Sequence, residues 1–295
     1  MNIKFSTHKH VGDHVICTGA VRNIRLEHPE IKFVVPDMHK EIFMNNPDFT
    51  TIGNGDSYRE IPRVTYGKLY DEQRGTWGTC VEGFTRSLCD LLHIPLVPIR
   101  VNHPVLVLSD YEREWAGQWN DCILLNGNFQ TCGLSKGYPY WQEVVDGLGD
   151  VRIIQLGGNE SRDISPNLRG VEDMRGCTTL RQLISMAYGC RCIVSPPSCI
   201  SNIGAAFSKP QVVVNASREP DALTKYANVR FVSHKCDCGW GVDNGCVALR
   251  ILFGTRACPH VVKKDGIDWC KCQYETSPEE VIKAVLEVYN CNTNE

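Results

Sequence analysis

Several residues in this chain have types and spacings that suit chemistry. Asp13 follows Gly12 where an opening strand gives way to a helix. A carboxylate there suits a general base towards a bound hydroxyl, and equally a helix N-cap that satisfies backbone N–H groups. Lys136 lies in a loop between a strand and a helix, as a point charge for a phosphate oxygen or as a solvated lysine. The run Val194-Ser195-Pro196-Pro197-Ser198-Cys199-Ile200-Ser201-Asn202 leads from a strand into a helix of small residues. The N–H groups and dipole of such a helix start suit an anion, and the alternative is an ordinary capped helix. Cys199 has no histidine near it in sequence, which favours a buried thiol over a nucleophile. Glu160 follows Gly157-Gly158-Asn159 at the end of a strand, as an acceptor for ribose hydroxyls or as part of a surface turn.

The sixteen cysteines divide into two populations. Ten are scattered, and in a reducing compartment such residues act as small buried hydrophobes. The other six, Cys236, Cys238, Cys246, Cys258, Cys270 and Cys272, fall in one polar, Gly-rich stretch over 234–272, with His234 and His260 beside them. Soft ligands at that density suit tetrahedral structural zinc bound by a subset of the six, although both close pairs are C-x-C rather than C-x-x-C. Disulfides and reduced thiols are the alternatives.

Composition narrows the class. The chain has 295 residues, 42% hydrophobic and 22% charged, which excludes a disordered tail or a fibre. A net charge of -3 gives no bulk attraction to nucleic acid or anionic membrane. No stretch approaches the roughly 18 apolar residues of a membrane span, and the N-terminus lacks an apolar signal region. The expectation is a cytoplasmic protein. There is no G-x-x-x-x-G-K-[ST] loop and no G-x-G-x-x-G, so neither a P-loop ATPase nor a standard dinucleotide fingerprint is supported.

The elements that would position these residues alternate in type. A strand at 3–5, a polar loop at 8–13, a helix over 14–27 and a strand over 31–35 make a β-α-β unit, with a further strand expected at 105–108. A second series places strands at 122–125, 151–156, 192–195 and 211–215, and helices from Trp141, Leu180 and Ile200. Ser277-Pro278-Glu279-Glu280 reads as a capping box opening a last helix. This alternation predicts an α/β protein with two Rossmann-like domains, 1–118 and 119–295. Loops at 8–13, 126–136, 157–160 and 195–200 each follow a strand, so all would face one cleft at the strand C-termini.

Taken together, these segments resemble the ADP-heptose:lipopolysaccharide heptosyltransferase family, glycosyltransferase family nine. The resemblance rests on Gly12-Asp13, Thr18-Gly19-Ala20 and His28-Pro29-Glu30-Ile31. It continues through Asn126-Gly127, Lys136, Tyr138-Pro139, Trp141 and Gly157-Gly158-Asn159-Glu160, and then through 179–184, 198–210 and 278–281. It implies a GT-B architecture, with a nucleotide-sugar donor between two domains, and inverting transfer without a catalytic cofactor or metal. Asp13 then matches the family's base, Lys136 its phosphate-binding lysine and Glu160 an acid that holds the nucleoside. Ser198, Cys199 and Ile200 match the loop whose backbone binds the diphosphate, and Gly12 is counted with them among the donor-binding residues. Where the family has Asp-Thr-Gly and Leu-Ser-His, this chain has 197–202, so sugar, nucleotide and acceptor stay open. The acceptor classes are a glycan, a lipid-linked sugar, a protein or a modified nucleic-acid base. Two rival readings are a nucleotide-sugar-binding sensor or scaffold without turnover, and a Cys-rich interaction module on an α/β domain.

Overall fold

The alternation of short apolar runs with helical segments resolves into two parallel sheets. The computed structural model describes residues 1–8, 10–51, 53, 56–65, 69–71, 76–130, 136–158, 163–215, 220–234 and 260–291. In the first sheet, β1 (Asn2–Lys4), β2 (Lys32–Val34), β3 (Phe49–Thr50) and β4 (Arg59–Glu60) pair in the order β3-β2-β1-β4, all parallel. Helix α1 (Val11–Glu27) crosses from β1 to β2 and buries Ile16, Ala20 and Ile24 against Ile3 and Phe33. A short antiparallel pair, β5 (Tyr70–Asp71) and β6 (Thr76–Trp77), precedes α2 (Cys80–Leu92). Thr79 and Glu82 start α2 with a reciprocal capping box.

The chain continues with α3 (Asp110–Ala116), capped in the same way by Ser109 and Glu112. Then follow β7 (Ile123–Asn126), β8 (Phe129–Gln130), α4 (Trp141–Gly147), β9 (Ile153–Leu156), β10 (Asp163–Ile164) and β11 (Glu172–Asp173). Next come α5 (Leu180–Gly189), β12 (Cys192–Ser195), α6 (Cys199–Ala206), β13 (Gln211–Val214) and β14 (Val229–Val232). The parallel order is β11-β9-β7-β12-β13-β14, while β8 and β10 form a separate antiparallel pair. Counted by appearance, the six parallel strands read 3-2-1-4-5-6. That is the doubly wound order, in which the ligand crevice opens at the C-terminal ends where the order reverses, here between β7 and β12. Every residue of β7, β9, β12 and β13 is buried, as strands covered on both faces require. The chain closes with a hairpin, β15 (Val261–Lys264) and β16 (Ile267–Cys270), then α7 (Lys271–Glu275) and α8 (Pro278–Cys291).

Three sequence expectations are corrected. Helix α1 starts at Val11, three residues early, so Gly12 and Asp13 lie inside it. The capping box at Ser277 is half made: Ser277 Oγ accepts from the N–H groups of Glu279 and Glu280, at 3.1 and 3.4 Å, and its own hydroxyl bonds the Glu279 carboxylate. No strand forms at 105–108. The reason lies in where that segment's backbone hydrogen bonds go, because side chains take the place of a neighbouring strand. Val105 N donates to Thr18 Oγ1 at 2.8 Å, and Val105 O accepts from Asn46 Nδ2 at 3.0 Å. Just upstream, Asn23 Oδ1 accepts from the N–H groups of Arg100 and Val101, and Asn23 Nδ2 donates to Val101 O at 2.8 Å. Residues 100–108 are thus an extended connection laid across α1.

The halves also share apolar contact. Val15, Ile42 and Phe43 of the first half cluster with Leu124, Ile184, Ile200 and Ile203 of the second. Arg181 of α5 pins the same junction. It clasps Glu112 through Nε and one terminal nitrogen, at 2.6 and 2.5 Å, and donates to the carbonyls of Glu41 and Val107. The guanidinium beside it holds the Glu112 carboxyl well below the usual range, pushed down to about 2.

The crossing of α1 by 100–108 demands glycine at position 19, where a β-carbon would overlap the His103 carbonyl oxygen. Helix propensity alone predicts that Gly19→Ala stabilises the protein by about 1 kcal/mol. The clash with backbone predicts the opposite, a loss of about 3 kcal/mol. A thermal melt should show the midpoint falling by several degrees, and a midpoint that rises would remove the close crossing.

Candidate functional site

The site is built where the first turns of two long-range partners meet. In α1 the N-cap is His10, in extended conformation, and Asp13 is the third helical residue, its N–H donating to His10 O at 3.1 Å. Asp13 is therefore not the cap. It sits in the first turn with 5% of its surface exposed, where the helix dipole favours a carboxylate. Next to it His14 is buried, donating from Nδ1 to His10 O at 3.1 Å, with its ring edge-on to His39 at 5.0 Å. Burial pushes the His14 imidazole towards its neutral form.

Gly12 faces α6. A β-carbon there would come 3.5 Å from Asn202 Nδ2 and 3.7 Å from Cys199 Cα, so the two first turns lie in van der Waals range. The α6 N-cap, Ser198, is fully extended at φ -154 and ψ 177. Ser201 Oγ accepts from Ser198 N at 3.2 Å and donates to Ser198 O at 2.8 Å, which fixes the turn. The Ser198 hydroxyl itself is shielded from solvent, with no hydrogen-bond partner among the described residues. The dipole of a helix favours negative charge at its first turn, so the 198–200 turn suits an anion.

Lys136 reaches this turn from 61 residues away. It is half-buried, and its Nζ donates to Pro197 O at 3.3 Å, one residue before the α6 N-cap. Positive charge and a helix N-terminus thus converge at the C-terminal ends of β7 and β12, where the strand order reverses. The β7 and β9 loops are tied together beside them. A β-carbon at Gly157 would fall inside the Asn128 carboxamide, and Asn128 Nδ2 donates to Gly158 O at 3.1 Å. A side chain at Gly157 would have to displace that carboxamide.

Of the sequence-derived site residues, the fold brings Gly12, Asp13, Lys136, Ser198, Cys199 and Ile200 together. Glu160 lies outside the described residues, as do Cys236, Cys238, Cys246 and Cys258. Cys270 and Cys272 are both buried, at the end of β16 and within α7. Among the described residues, no group of three or more His, Cys, Asp or Glu side chains is placed to hold a metal ion. Of the scattered cysteines, Cys17, Cys80, Cys89, Cys122, Cys190 and Cys192 are buried as expected, whereas Cys199 is only half-buried, Cys177 and Cys291 are exposed and Cys132 lies outside the described residues. Burial pushes the Cys122 and Cys192 thiols up to about 12 and those of Cys17 and Cys190 upward too. Sequence reasoning missed the support beneath Asn202, whose Oδ1 accepts from the buried Tyr226 hydroxyl at 3.0 Å. It also missed the residues that grip the Lys136 loop from the far end of the chain. No local pattern announces either.

No protein-family model matches the sequence, and no curated protein matches it at a significant level. Solved structures do share its fold. The ADP-heptose lipopolysaccharide heptosyltransferase II of E. coli superposes with a TM-score of 0.66 at 13% identity, covering 99% of each chain. A glycosyl transferase family 9 protein from Veillonella parvula gives 0.63 at 13% identity, over 99% of this chain and 97% of that one. The iron-containing dodecameric heptosyltransferase TibC of E. coli, in complex with ADP-D-beta-D-heptose, gives 0.61 at 16% identity, over 98% and 76%. The architecture expected from the sequence, an α/β fold of the GT-B type, is the one these structures have. No helix among the described residues is long and apolar enough to cross a membrane.

Proposed function

We propose that this chain is a glycosyltransferase that moves a sugar from a nucleotide-diphosphate donor to an acceptor hydroxyl, with inversion. The observation that carries the reading is the convergence of the Lys136 ammonium and the α6 N-terminus on one turn, with the Asp13 carboxylate held in the facing helix start. Residues 1–118 would receive the acceptor and 119–295 the donor. The acceptor oxygen attacks the anomeric carbon and its proton passes to Asp13. The bond from that carbon to the diphosphate oxygen breaks, leaving its electron pair on the diphosphate. Lys136 and the N–H groups of the 198–200 turn meet the charge that develops there. Those two sources supply the positive charge locally, so the reading assigns no catalytic metal or cofactor. Glu160 would take the ribose hydroxyls. A cytoplasmic location suits the reading, since Cys17, Cys122, Cys190 and Cys192 stand as buried thiols.

Structural zinc belongs to the same reading. Thiolate donors at 236, 238, 246, 258, 270 and 272 suit it, and the two described, Cys270 and Cys272, are already withdrawn from solvent around one turn. Any four of the six would close the coordination sphere and order the segment.

Nucleotide release from a panel of sugar nucleotides, with and without crude glycan acceptors, tests the activity directly. Donor binding with no release under any acceptor would make the protein a sensor instead. In Asp13→Asn, turnover should fall by roughly a hundredfold or more while donor affinity holds, because the base acts only as the acceptor attacks. Retained turnover would remove Asp13 as the base. For Lys136→Ala, calorimetry should find nucleoside-diphosphate affinity weakened roughly 10- to 100-fold, with partial recovery in Lys136→Arg. Unaltered affinity would take Lys136 out of the site. Elemental analysis of protein purified without chelator should find about one zinc per chain. Iron in its place, or a metal-free protein of native stability with all thiols titratable, would end the zinc assignment.

A further inference from the structure

The loop that carries Lys136 is gripped by the last hairpin and by α7. Gln273, with 1% of its surface exposed, donates from Nε2 to Gly137 O at 2.5 Å, the carbonyl next to Lys136. Its other amide atom, Oε1, accepts from Cys270 N at 2.8 Å. Both ends of one buried carboxamide are therefore used: one fixes it on the C-x-C turn, the other holds the lysine loop. Tyr138 OH donates to Thr276 O at 3.0 Å, and Lys264 Nζ donates to Pro139 O at 3.3 Å while lying 3.9 Å over the Tyr140 ring. Tyr140 in turn meets Tyr274 at 5.8 Å between ring centroids. The contacts between this loop and the end of the chain reach across 124 residues or more of sequence and leave Lys136 to span the remaining gap to Pro197.

A lysine carries more rotamer freedom than almost any side chain, and its charge is useful only where it is held. Fixing the backbone beside it lowers the ordering cost of binding an anion. We propose that Gln273 is a positioning residue for Lys136, so that the Cys270-Lys271-Cys272 turn sets affinity for the donor diphosphate. The proposal rests on Lys136 being the diphosphate-binding lysine. Gln273 touches no substrate in this scheme. It acts through Gly137.

The test is a double-mutant cycle on the full-length protein, read by calorimetry with whichever of ADP, UDP or GDP the wild-type chain binds. Gln273→Met keeps the length of the side chain and removes both hydrogen bonds, and should weaken binding about 5- to 20-fold. Combined with Lys136→Ala it should add almost nothing, because the lysine it positions is gone. Gln273→Glu keeps the acceptor for Cys270 N but turns an oxygen towards Gly137 O, and should weaken binding at least as much. In turnover, KM for the donor should rise in Gln273→Met more than kcat falls. If Gln273→Met does not fold, Tyr138→Phe, which releases the same loop from Thr276, carries the same expectation in the same cycle. Unchanged affinity in the single variant, or full additivity with Lys136→Ala, overturns the positioning role while leaving Lys136 in place. Unchanged affinity in Lys136→Ala itself, or no binding of any of the three nucleotides, overturns the reading beneath it as well.

Discussion

The arrangement of the molecule depends on one close approach, the passage of 100–108 over the middle of α1. Gly19 removes the side chain that would block it, and Thr18 and Asn23, on either side, supply the hydrogen bonds that a strand neighbour would otherwise give. An extended segment at that depth must satisfy its amides somewhere. Here it does so on a helix, which locks the connection between the halves to the helix that bears Asp13. Once α1 is held this way, its first turn has one direction to face, and α6 is what it meets. The apolar cluster around Val15, Phe43, Ile184 and Ile200 and the Arg181–Glu112 clasp then fix the junction from the side.

The charge layout at the crevice follows from topology more than from any motif. Both sheets reverse order beside their first strand, so each puts the helix after a central strand with its N-terminus towards the same gap. Helix N-termini favour negative charge. At α1 that preference is met from within, by Asp13. At α6 the first turn carries Ser198, Cys199 and Ser201 and no acid of its own. Lys136 adds positive charge there from a third direction. Two neighbouring helix starts with opposite loading give the proposed site one wall suited to an anion and another that carries a carboxylate.

How much of this was legible in the sequence differs by element. The buried strands of the second sheet were readable to within a residue or two, because a strand covered on both faces is a run of apolar residues with few rival readings. Residues 105–108 have the same apolar look and are not a strand, since periodicity reports burial and not the identity of the hydrogen-bond partner. The α1 start was placed late because Gly12 reads as a loop residue, while its actual work is to face Cys199 and Asn202. Asp13, Lys136 and the 198–200 turn were nameable, yet only the fold shows that Lys136 and Pro197 touch. The β15–β16 hairpin and Gln273 left no signal, because a buried glutamine looks like any other until its two partners, 3 and 136 residues away, are known.

The two cysteine populations answer to different physics. Cys122 and Cys192 lie in or beside the strands of a dry core, their thiols held neutral by burial, and a small apolar side chain would serve there as well. Cys270 and Cys272 are equally withdrawn from water but sit on a short turn whose backbone does something the core cysteines' does not. The amide of Cys270 anchors the Gln273 carboxamide, and the carbonyl of Cys272 accepts from the Thr276 hydroxyl at 2.8 Å. Thr276 then offers its own carbonyl to Tyr138. The turn that carries the C-x-C pair is thus hydrogen-bonded at both ends to residues that hold the Lys136 loop. Whatever orders those two thiols acts on a lysine more than 130 positions upstream, through a path of buried hydrogen bonds in which a missing partner is costly.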